Sequence, residues 1–412
     1  MRRHLPPALR ERDFAFLWSA VLGMRFAEQM LAVAVGWQVY AIHRNPLDLG
    51  LIGLAEFVPL PLLALPAGQL ADRLPRKLLA AFALVLNVGI ALALVAVTLK
   101  GAHSTWPFFA LAACSGVASA IGWPAYAALT PELVPEPLLA GAMALRSIAG
   151  QIAVVTGPAV GGLIFAARPA LVYVVAAVLF AGALASMLAV RRTQSLGVLG
   201  EPAPRFESLV AGVRFVLRTR MLLGAIALDL FAVLFGGATA LLPVFARSIL
   251  HVGPVGLGVL RTAPAVGALA AAVILARRPL QRRAGPTLLA VVGIFGVCMV
   301  VFGFSRWLPL SLVALAIAGF VDMFSVNIRL TTVALVTPNE LRGRVNAVEM
   351  VFVSASNELG AFESGVVASL VGTVAAVVAG GAATIAIALS WTRLFPALSR
   401  MGRLEDLQPE AA

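Results

Sequence analysis

Charged residues and cysteines are scarce in this chain of 412 residues. Only 12% of the residues are charged, whereas 61% are hydrophobic and the mean hydropathy is +0.97. The core of a soluble protein cannot bury this much apolar side chain, so the composition predicts a membrane protein. The two cysteines, Cys114 and Cys298, both lie inside apolar runs, which leaves no disulfide framework and no CxxC metal site.

The sequence also lacks the short motifs of ATP-driven and hydrolytic proteins. It contains no GxxxxGK(S/T), no HExxH and no GxSxG pattern. The net charge of +12 does not indicate nucleic-acid binding, because the basic residues occur in short groups between apolar stretches. We therefore expect no enzyme activity, no metal or other cofactor, and no nucleic-acid partner.

Twelve apolar segments meet or approach the ~20 residues that a transmembrane helix needs. They are predicted at residues 14–41, 49–71, 78–99, 107–129, 138–167, 170–190, 221–246, 254–276, 286–304, 308–336, 344–371 and 374–395. The predicted fold class is all-α, a polytopic membrane protein whose main partner is the lipid bilayer. No small-residue cleavage site accompanies the first segment, so we expect a retained helix and not a signal peptide.

The distribution of basic residues predicts the orientation in the membrane. If the N-terminus is cytoplasmic, 22 of the 31 Lys and Arg residues fall on the inner side and five on the outer side. Because basic loops stay in the cytoplasm, both termini are predicted to be cytoplasmic. Four arginines fall within predicted spans and require partners there: Arg25, Arg146, Arg261 and Arg329.

The longest polar interruption, at residues 191–220, divides the chain into two halves of six spans. Its first half is rich in Gly, Pro and Ser, and its second half has apolar residues at helical spacing, as in a helix at a membrane interface. The predicted parts are an N-terminal six-helix bundle at 1–190, a cytoplasmic linker with an interfacial helix at 191–220, a C-terminal six-helix bundle at 221–396 and a cytoplasmic tail at 397–412.

The two halves repeat each other in sequence. Three pairs of residues are separated by 203 positions and one pair by 205: Pro135 and Pro338, Gly157 and Gly360, Gly162 and Gly365, and Pro59 and Pro264. Two pseudo-symmetric bundles that rock about a central site are typical of secondary transporters. The repeat therefore predicts alternating access to a site for a small-molecule substrate.

A polar decapeptide, GQLADRLPRK, separates the second and third predicted spans. We interpret it as a cytoplasmic gating loop with five functional residues: Gly68, Asp72, Arg73, Arg76 and Lys77. An acid is unusual in a cytoplasmic loop, and it is expected to latch onto the N-terminus of the eleventh helix. The alternative for the basic residues is a solvated turn that only fixes the topology.

The decapeptide resembles the loop signature of the major facilitator superfamily, Gly-x-x-x-Asp-Arg-x-Gly-Arg-(Arg/Lys). All five residues named above match the signature, whereas Pro75 stands in place of the usual glycine and implies a different turn. Likeness to one branch of that superfamily, which includes enterobactin exporters and drug-efflux proteins, extends through residues 34–73 and 337–348.

A second resemblance lies in the fifth span. The stretch TGPAVGG is similar to the antiporter motif of exporters in the superfamily, through four residues: Gly157, Pro158, Gly161 and Gly162. Small residues permit close helix packing and proline permits a kink, so ordinary packing is the alternative. The copy in the eleventh span, LGAFESG, has Ala361 in place of the proline, and only the first half carries the complete motif.

Together these resemblances imply a monomeric transporter in the bacterial cytoplasmic (inner) membrane. Its expected function is proton-gradient-driven export, by antiport, of a siderophore or an amphipathic drug-like molecule, as in multidrug resistance. An uptake or facilitated carrier is the alternative, and a receptor without transport is a third class. Many proton-coupled relatives have an arginine four residues before a helix 4 glycine, but here Ala112 precedes Gly116, so this coupling residue is missing.

Ionisable residues inside a bilayer cost roughly 2.5–3.5 kcal/mol each on insertion scales, so they face a cavity or a partner. The first span carries Arg25 and Glu28 one turn apart, with Gln29 beside them. Either the two charges neutralise each other, or Glu28 carries a proton inward while substrate leaves. The resemblance, which implies an acid here, favours proton coupling. Trp123 and Tyr126 either line a cavity or, as the default interpretation, contact lipid or another helix.

Acids in three other spans are further candidates for proton coupling or for lining a cavity. In the tenth span Asp322 and Arg329 lie about 10.5 Å apart in rise, so water or substrate is expected between them. In the eleventh, Glu349 and Glu358 fall on roughly opposite faces. Asp229 in the seventh span is another candidate site for a proton or cation. For each acid, a structural ion pair is the alternative.

The repeat also pairs opposite charges between the halves. Glu56 corresponds to Arg261 at an interval of 205, and Arg146 corresponds to Glu349 at an interval of 203. We interpret these pairs as an outer and an inner electrostatic gate that alternate during transport. Pairing of each residue within its own half is the alternative.

Overall fold

The computed structural model describes residues 6–63, 74–191, 206–278, 283–403 and 407, without the side chains of 206–210. Every regular element within these ranges is a helix, which confirms the predicted all-α fold class. Twelve long helices occur at the positions of the predicted spans. They are α1 (Arg12–His43), α2 (Pro46–Leu63), α3 (Arg76–Leu99), α4 (Trp106–Leu133), α5 (Leu139–Ala167), α6 (Pro169–Ala189), α7 (Arg220–Ile249), α8 (Gly253–Arg277), α9 (Ala284–Phe304), α10 (Leu308–Val336), α11 (Asn339–Val371) and α12 (Thr373–Leu394).

Ten of these helices are long and apolar enough to cross a membrane, counted over the residues described above. The other two, α1 and α11, contain 32 and 33 residues and carry ionisable side chains in their interiors: Arg25, Glu28, Glu349 and Glu358. Since charges within a span need partners, the ionisable residues of α1 and α11 must face a cavity or a charged group on a neighbouring helix.

Proline and left-handed residues mark several helix boundaries. In α2, a turn at Val58 interrupts the helix, because Pro59 and Pro61 cannot donate backbone hydrogen bonds. Helix α1 ends at Arg44, which has φ of 52°, and α12 begins after Gly372, which has φ of 90°. Arg44 therefore ends α1 shortly before α2 begins, and Gly372 alone separates α11 from α12.

Helix α7 is not regular along its length. An α-helical part, Arg220–Gly236, is followed by a tight turn at Thr239–Leu241 and a wide, π-type turn at Phe245–Ile249. Gly237 and Pro243 lie in the irregular part, and both residue types disfavour a continuous helix. The span predicted at 221–246 is present, and the irregular turns within its second half are a feature that the apolar run did not predict.

The chain divides into two compact units. The first consists of Met1–Arg44, Leu51–Ala203 and Val252–Thr262, and the second of Asn45–Gly50, Pro204–His251 and Ala263–Ala412. Each unit therefore contains the start of one helix from the other sequence half, namely α8 in the first unit and α2 in the second. The division at residues 190 and 221 stays a prediction.

Each unit has its own apolar core. In the first unit, α1 packs against α5 and α6, and α3 packs against α4 and α6. Phe14, Leu17 and Phe180 are almost fully buried there. In the second unit, α9 packs against α10 and α12, and α7 packs against α11 and α12. Its core includes Leu288 and Leu398.

The sequence repeat corresponds to a repeat of close helix contacts. On α5, a Cβ atom added at Gly157 would lie 2.7 Å from Cβ of Gln29 on α1. On α11, a Cβ atom at the equivalent Gly360 would lie 3.1 Å from Cα of Leu234 on α7. Glycine at both positions permits backbones to approach more closely than any larger residue allows.

A second pair of glycines shows the same correspondence. A Cβ atom at Gly162 would lie 2.5 Å from the carbonyl oxygen of Pro254 at the start of α8. A Cβ atom at Gly365 would lie 2.9 Å from Cα of Gly50 in α2. In the first unit the start of α8 packs against Gly162, and in the second unit the start of α2 packs against Gly365. These two glycines are one of the pairs that the 203-residue interval relates.

The amphipathic helix predicted in the linker is present at Phe206–Arg218. In the second unit it packs on α11, where a Cβ atom at Gly212 would lie 3.0 Å from the carbonyl oxygen of Arg344. Phe215 and Val216 are buried in the same apolar cluster as residues of α10 and α11. Part of its apolar face is therefore covered by protein, and its position at a membrane interface stays a prediction.

Candidate functional site

Three helices of the first unit, α1, α4 and α5, contribute side chains to a cavity of about 220 Å³. These residues recur at helical spacing, so each helix directs one face to the cavity. The lining consists of Val21, Met24, Arg25, Trp123, Tyr126, Arg146, Ser147 and Gly150. Trp123 and Tyr126 therefore line a cavity, and Tyr126 also contacts a neighbouring helix, because its hydroxyl donates to the carbonyl oxygen of Ala80.

Arg25 and Glu28 form the ion pair that we considered on α1. Arg25 Nη1 donates to Glu28 Oε2 at 3.0 Å, and the two side chains are 28% and 32% exposed. The guanidinium of Arg25 also lies 4.3 Å from the centre of the Trp123 ring, within the range of a cation–π interaction. Both side chains are partly exposed, and Arg25 is the member of the pair that lines the cavity.

Arg146 has only neutral partners among the described residues. Its Nη1 atom donates to the hydroxyl of Thr130 at 3.2 Å and to the carbonyl oxygen of Ala127 at 3.3 Å, with a longer contact of 3.5 Å to that of Tyr126. In the described part of the chain, no carboxylate lies within 4 Å of it. These contacts fix the side chain against α4, and no carboxylate of the described ranges balances its positive charge.

The residues of the candidate antiporter motif hold α1 beside this cavity. Gly157 faces Gln29, and a Cβ atom at Gly161 would lie 2.8 Å from Cα of Met30. The third glycine, Gly162, and the carbonyl of Pro158 face the start of α8 instead. The motif therefore packs α5 against two helices, and the contact with α1 is one residue from Glu28. An additional transport role of the motif stays a prediction.

The second unit contains a buried charge cluster in which α7, α10 and α11 meet. Arg329 Nη2 lies 3.3 Å from Asp229 Oδ2, and Arg329 Nη1 pairs with Glu349 Oε1. All three side chains are at most 8% exposed. Arg329 Nε has no hydrogen-bond partner among the described residues. The structural ion pair, given above as the alternative for each acid, is present for Asp229 and Glu349.

Asp322 lies next to this cluster and lines two cavities. With Asp229 and Ser325 it lines a small one of about 20 Å³. With Thr239 and Asn357 it lines a larger one of about 180 Å³. Among the described side chains, Asp322 and Arg329 form no ion pair, in agreement with the predicted gap between them. A polar cavity of 20 Å³ is large enough for one water molecule.

Glu358 and the predicted gate residues have the following positions. Glu358 is half-buried on α11. Glu56 accepts a hydrogen bond from Ser115 Oγ at 3.3 Å, and Arg261 Nη1 donates to the carbonyl oxygen of Ala32 at 3.4 Å. The partners of Arg146 and Glu349 described above lie in the same unit as each residue. The alternating gates stay a prediction.

Only part of the predicted gating loop falls within the described residues. Gly68, Asp72 and Arg73 lie outside them, and so does the predicted latch. The two described residues of the loop begin α3. Arg76 pairs with Glu132 at the end of α4, and Lys77 Nζ donates to the carbonyl oxygen of Leu188 at 2.8 Å.

Sequence reasoning did not identify Glu132 as the partner of Arg76, nor Trp123 as the aromatic partner of Arg25. Both pairs join different helices, separated by 56 residues in the first case. A signal was present for Glu132, because it is an acid just beyond the predicted end of the fourth span, on the side of the membrane where the basic loop residue Arg76 is also predicted. For Trp123, the presence of an arginine at similar depth in the membrane was the available signal.

The profile of the family described as transmembrane secretion effector matches residues 5–409. The chain belongs to this family. The family is part of the major facilitator superfamily, so this member is a multi-pass membrane transporter and not an enzyme, as predicted from its sequence. The resemblance to the superfamily, deduced from the loop and from the fifth span, is confirmed.

Bacterial transporters are among the relatives to which this chain is similar. The enterobactin exporter EntS of Shigella boydii is 28% identical over 326 residues, which cover 77% of this chain and 76% of that protein. The uncharacterized MFS-type transporter YfiS of Bacillus subtilis is 25% identical over 287 residues, which cover 64% of this chain and 67% of that protein.

Solved structures confirm the major facilitator fold of this chain. The nucleoside transporter NupG, solved as a point mutant, matches with a TM-score of 0.71 and 13% identity, covering 93% of this chain and all of that one. An inward-facing bacterial homologue of the lysosomal transporter Spinster matches with a TM-score of 0.70 and 14% identity, covering 97% and 99%. At these identities the likeness concerns the fold alone.

Proposed function

We propose that this protein exports a siderophore or an amphipathic drug-like molecule in exchange for protons, by alternating access. Three observations support export: the similarity to an enterobactin exporter, the antiporter-like motif in α5, and ionisable side chains that border cavities inside the spans. The proton gradient would supply the driving force without a cofactor. The proposed location is a bacterial cytoplasmic membrane, with both termini in the cytoplasm.

The observation that carries proton coupling is the excess of acids around Arg329. Three carboxylates, those of Asp229, Asp322 and Glu349, surround or adjoin one guanidinium. If all three were ionised, two negative charges would be uncompensated inside the membrane, where such charges are costly. Protons are the simplest counter-ions, since the small cavity at Asp322 accommodates only a water-sized species.

We assign proton exchange to Asp322, because it borders both the small cavity and the larger one. In the larger cavity it can respond to a bound substrate, while Asp229 and Glu349 remain paired with Arg329. Glu28 is the second candidate, but its charge is already balanced one-to-one by Arg25. Occupation of the larger cavity would then favour release of the proton, which is the coupling that antiport requires.

A facilitated carrier remains the second candidate function, favoured by Ala112. This residue is buried on α4 at the place where many proton-coupled relatives have an arginine. A carrier without that arginine and with no other coupling acid would exchange substrate without moving protons.

Flux measurements in proteoliposomes with an imposed pH gradient test these proposals. Transport of enterobactin and of the cationic dye ethidium is measured together with proton movement. Antiport requires proton movement that depends on the transported compound, and Asp322→Asn should abolish it while exchange under equal pH persists. Exchange without proton movement in the unmodified protein would instead support the facilitated carrier.

Glu340→Gln serves as the matched control, because Glu340 is exposed in the first turn of α11. It should leave the ratio of protons to substrate unchanged. Secretion of siderophores and susceptibility to a panel of drugs in a deletion strain then identify the compound class, and absence of flux for every secreted compound would refute export.

A further inference from the structure

We infer that the cavity of the first unit binds the acidic aromatic group of the transported molecule. The binding groups are the guanidiniums of Arg25 and Arg146 and the rings of Trp123 and Tyr126. This inference rests on the proposed export function only in treating the cavity as part of the substrate path. It adds a substrate class, an aromatic acid, and the residues that recognise it.

The charge balance of the cavity calls for an anion. Arg25 is balanced by Glu28, but among the described residues Arg146 meets only carbonyl and hydroxyl oxygens. Within the part of the chain that the structure describes, two arginines and one acid leave a net positive charge beside α1, α4 and α5. Because an uncompensated charge inside a span is costly, a bound anion stabilises this arrangement and a bound cation does not.

The remaining hydrogen-bond donors of Arg146 are available for a ligand. A guanidinium has five N–H groups, and the described partners of Arg146 all contact Nη1. The side chain is only half-buried, so its Nη2 and Nε groups can reach the space of the cavity. A carboxylate or phenolate is the ligand group that such a planar, charged fork binds best.

The aromatic preference follows from Trp123 and from the size of the cavity. The Trp123 side chain is 42% exposed, and one guanidinium already stacks on it at 4.3 Å. A planar ligand ring can pack against the same indole, and a ring next to two guanidiniums gains further cation–π contacts. The volume of about 220 Å³ is below the ~300–1,000 Å³ of sites for whole drug-sized ligands, so it fits one substituted ring.

Equilibrium binding to the purified full-length protein in phosphatidylcholine nanodiscs tests this inference without any gradient. The probes are salicylate, its neutral analogue salicylamide, and the aromatic cation benzylammonium. Salicylate should bind about tenfold more tightly than salicylamide or benzylammonium, since one hydrogen bond to a charged group lowers the dissociation constant by about tenfold. Equal binding of the three probes, or preference for benzylammonium, would overturn the inference.

Variants locate the site. Arg146→Gln should weaken salicylate binding about tenfold and remove the preference over salicylamide, whereas Arg146→Lys should keep the preference. Arg168→Gln, at the exposed start of α6, is the charge control and should bind as the unmodified protein does. If Arg146→Gln does not fold, Arg146→Lys and Trp123→Leu are compared instead. Arg146→Lys should retain the preference for salicylate over salicylamide, and Trp123→Leu should weaken the binding of all three probes.

Trp106→Leu is the aromatic control, since Trp106 begins the same helix and is 76% exposed. Its salicylate affinity should be unchanged, and a loss equal to that of Trp123→Leu would contradict the assignment. An anionic lipid headgroup is the other source of a negative charge. If phosphatidylglycerol nanodiscs abolish salicylate binding, the site belongs to lipid and the inference fails.

The outcome is separable from the test of export. Normal salicylate binding without proton-driven flux would refute the proposed export and support the aromatic-acid site. Proton-driven flux without anion-selective binding would support export and refute the aromatic-acid site.

Discussion

At the scale of single residues, the arginines inside the spans differ in how their charge is compensated. Arg329 contacts two carboxylates and is almost fully buried. Arg25 has one acid and one indole, whereas Arg146 contacts only neutral oxygens among the described residues. Arg329 therefore has a structural role as an ion-pair partner in the second unit, whereas Arg146 in the first unit has a charge that a ligand can reach.

Arg329→Gln should destabilise the protein strongly. It leaves Asp229 and Glu349 buried without a counter-charge, which typically costs about 3–5 kcal/mol. The expected result is a lower melting temperature in detergent. The triple variant Asp229→Asn, Arg329→Gln, Glu349→Gln should recover much of the loss, because the two carboxylates that Arg329 balances are then neutral as well.

Arg393→Gln, at the exposed end of α12, is the control and should melt within about 0.5 kcal/mol of the unmodified protein. A triple variant that is no more stable than Arg329→Gln would show that buried charge is not the cause of the loss.

At the scale of helices, glycine determines how closely neighbours approach. In α5, the motif glycines contact α1 and the start of α8 through backbone atoms. Other glycines of the same helix, such as Gly141, have no neighbouring atom within 4 Å of an added Cβ. The motif thus combines packing with the positioning of α1, which carries Arg25 and Glu28.

Gly161→Ala should destabilise the first unit by about 1–3 kcal/mol, because the new methyl group would overlap the backbone of Met30 at 2.8 Å. Gly141→Ala on the same helix should be neutral or stabilising by up to about 1 kcal/mol, since alanine favours a helix more than glycine does. Thermal unfolding in detergent measures both. Equal melting temperatures for the two variants would contradict the packing role of the motif.

The sequence predicted the positions of all twelve long helices, because apolar length and the flanking Gly, Pro and Arg residues are local signals. It did not predict the break in α7, where Gly237 and Pro243 lie within a continuous apolar run. The partners of Arg329 were also not chosen in advance. Pairing with Asp229 and Glu349 depends on how three helices align, and this is a tertiary property that spacing along one helix does not contain.

At the scale of the whole molecule, the sequence repeat has a counterpart in the contacts of equivalent glycines. In the same repeat, Glu56 corresponds in sequence to Arg261, and Arg146 corresponds to Glu349. In the described structure, Glu349 is engaged by Arg329 and Arg146 by neutral oxygens. An alternating gate would require these contacts to be exchanged during the transport cycle.

Exchanging the charges tests the outer gate. Glu56→Arg and Arg261→Glu should each reduce enterobactin flux in proteoliposomes by about fivefold or more, the lower end of typical coupling energies. The double variant, which restores opposite charges, should regain part of the flux. Failure of rescue, with both single variants folded and inactive, would count against the gate.

The polarity of α1 and α11 bears on how this protein enters the membrane. Each carries ionisable side chains that cost roughly 2.5–3.5 kcal/mol at the centre of a bilayer, so neither is expected to insert efficiently as an isolated helix. For α11 the compensating guanidinium, Arg329, lies on the helix made just before it. Nascent α10 and α11 would therefore leave the translocon together, as a helical hairpin in which Arg329 already pairs with Glu349.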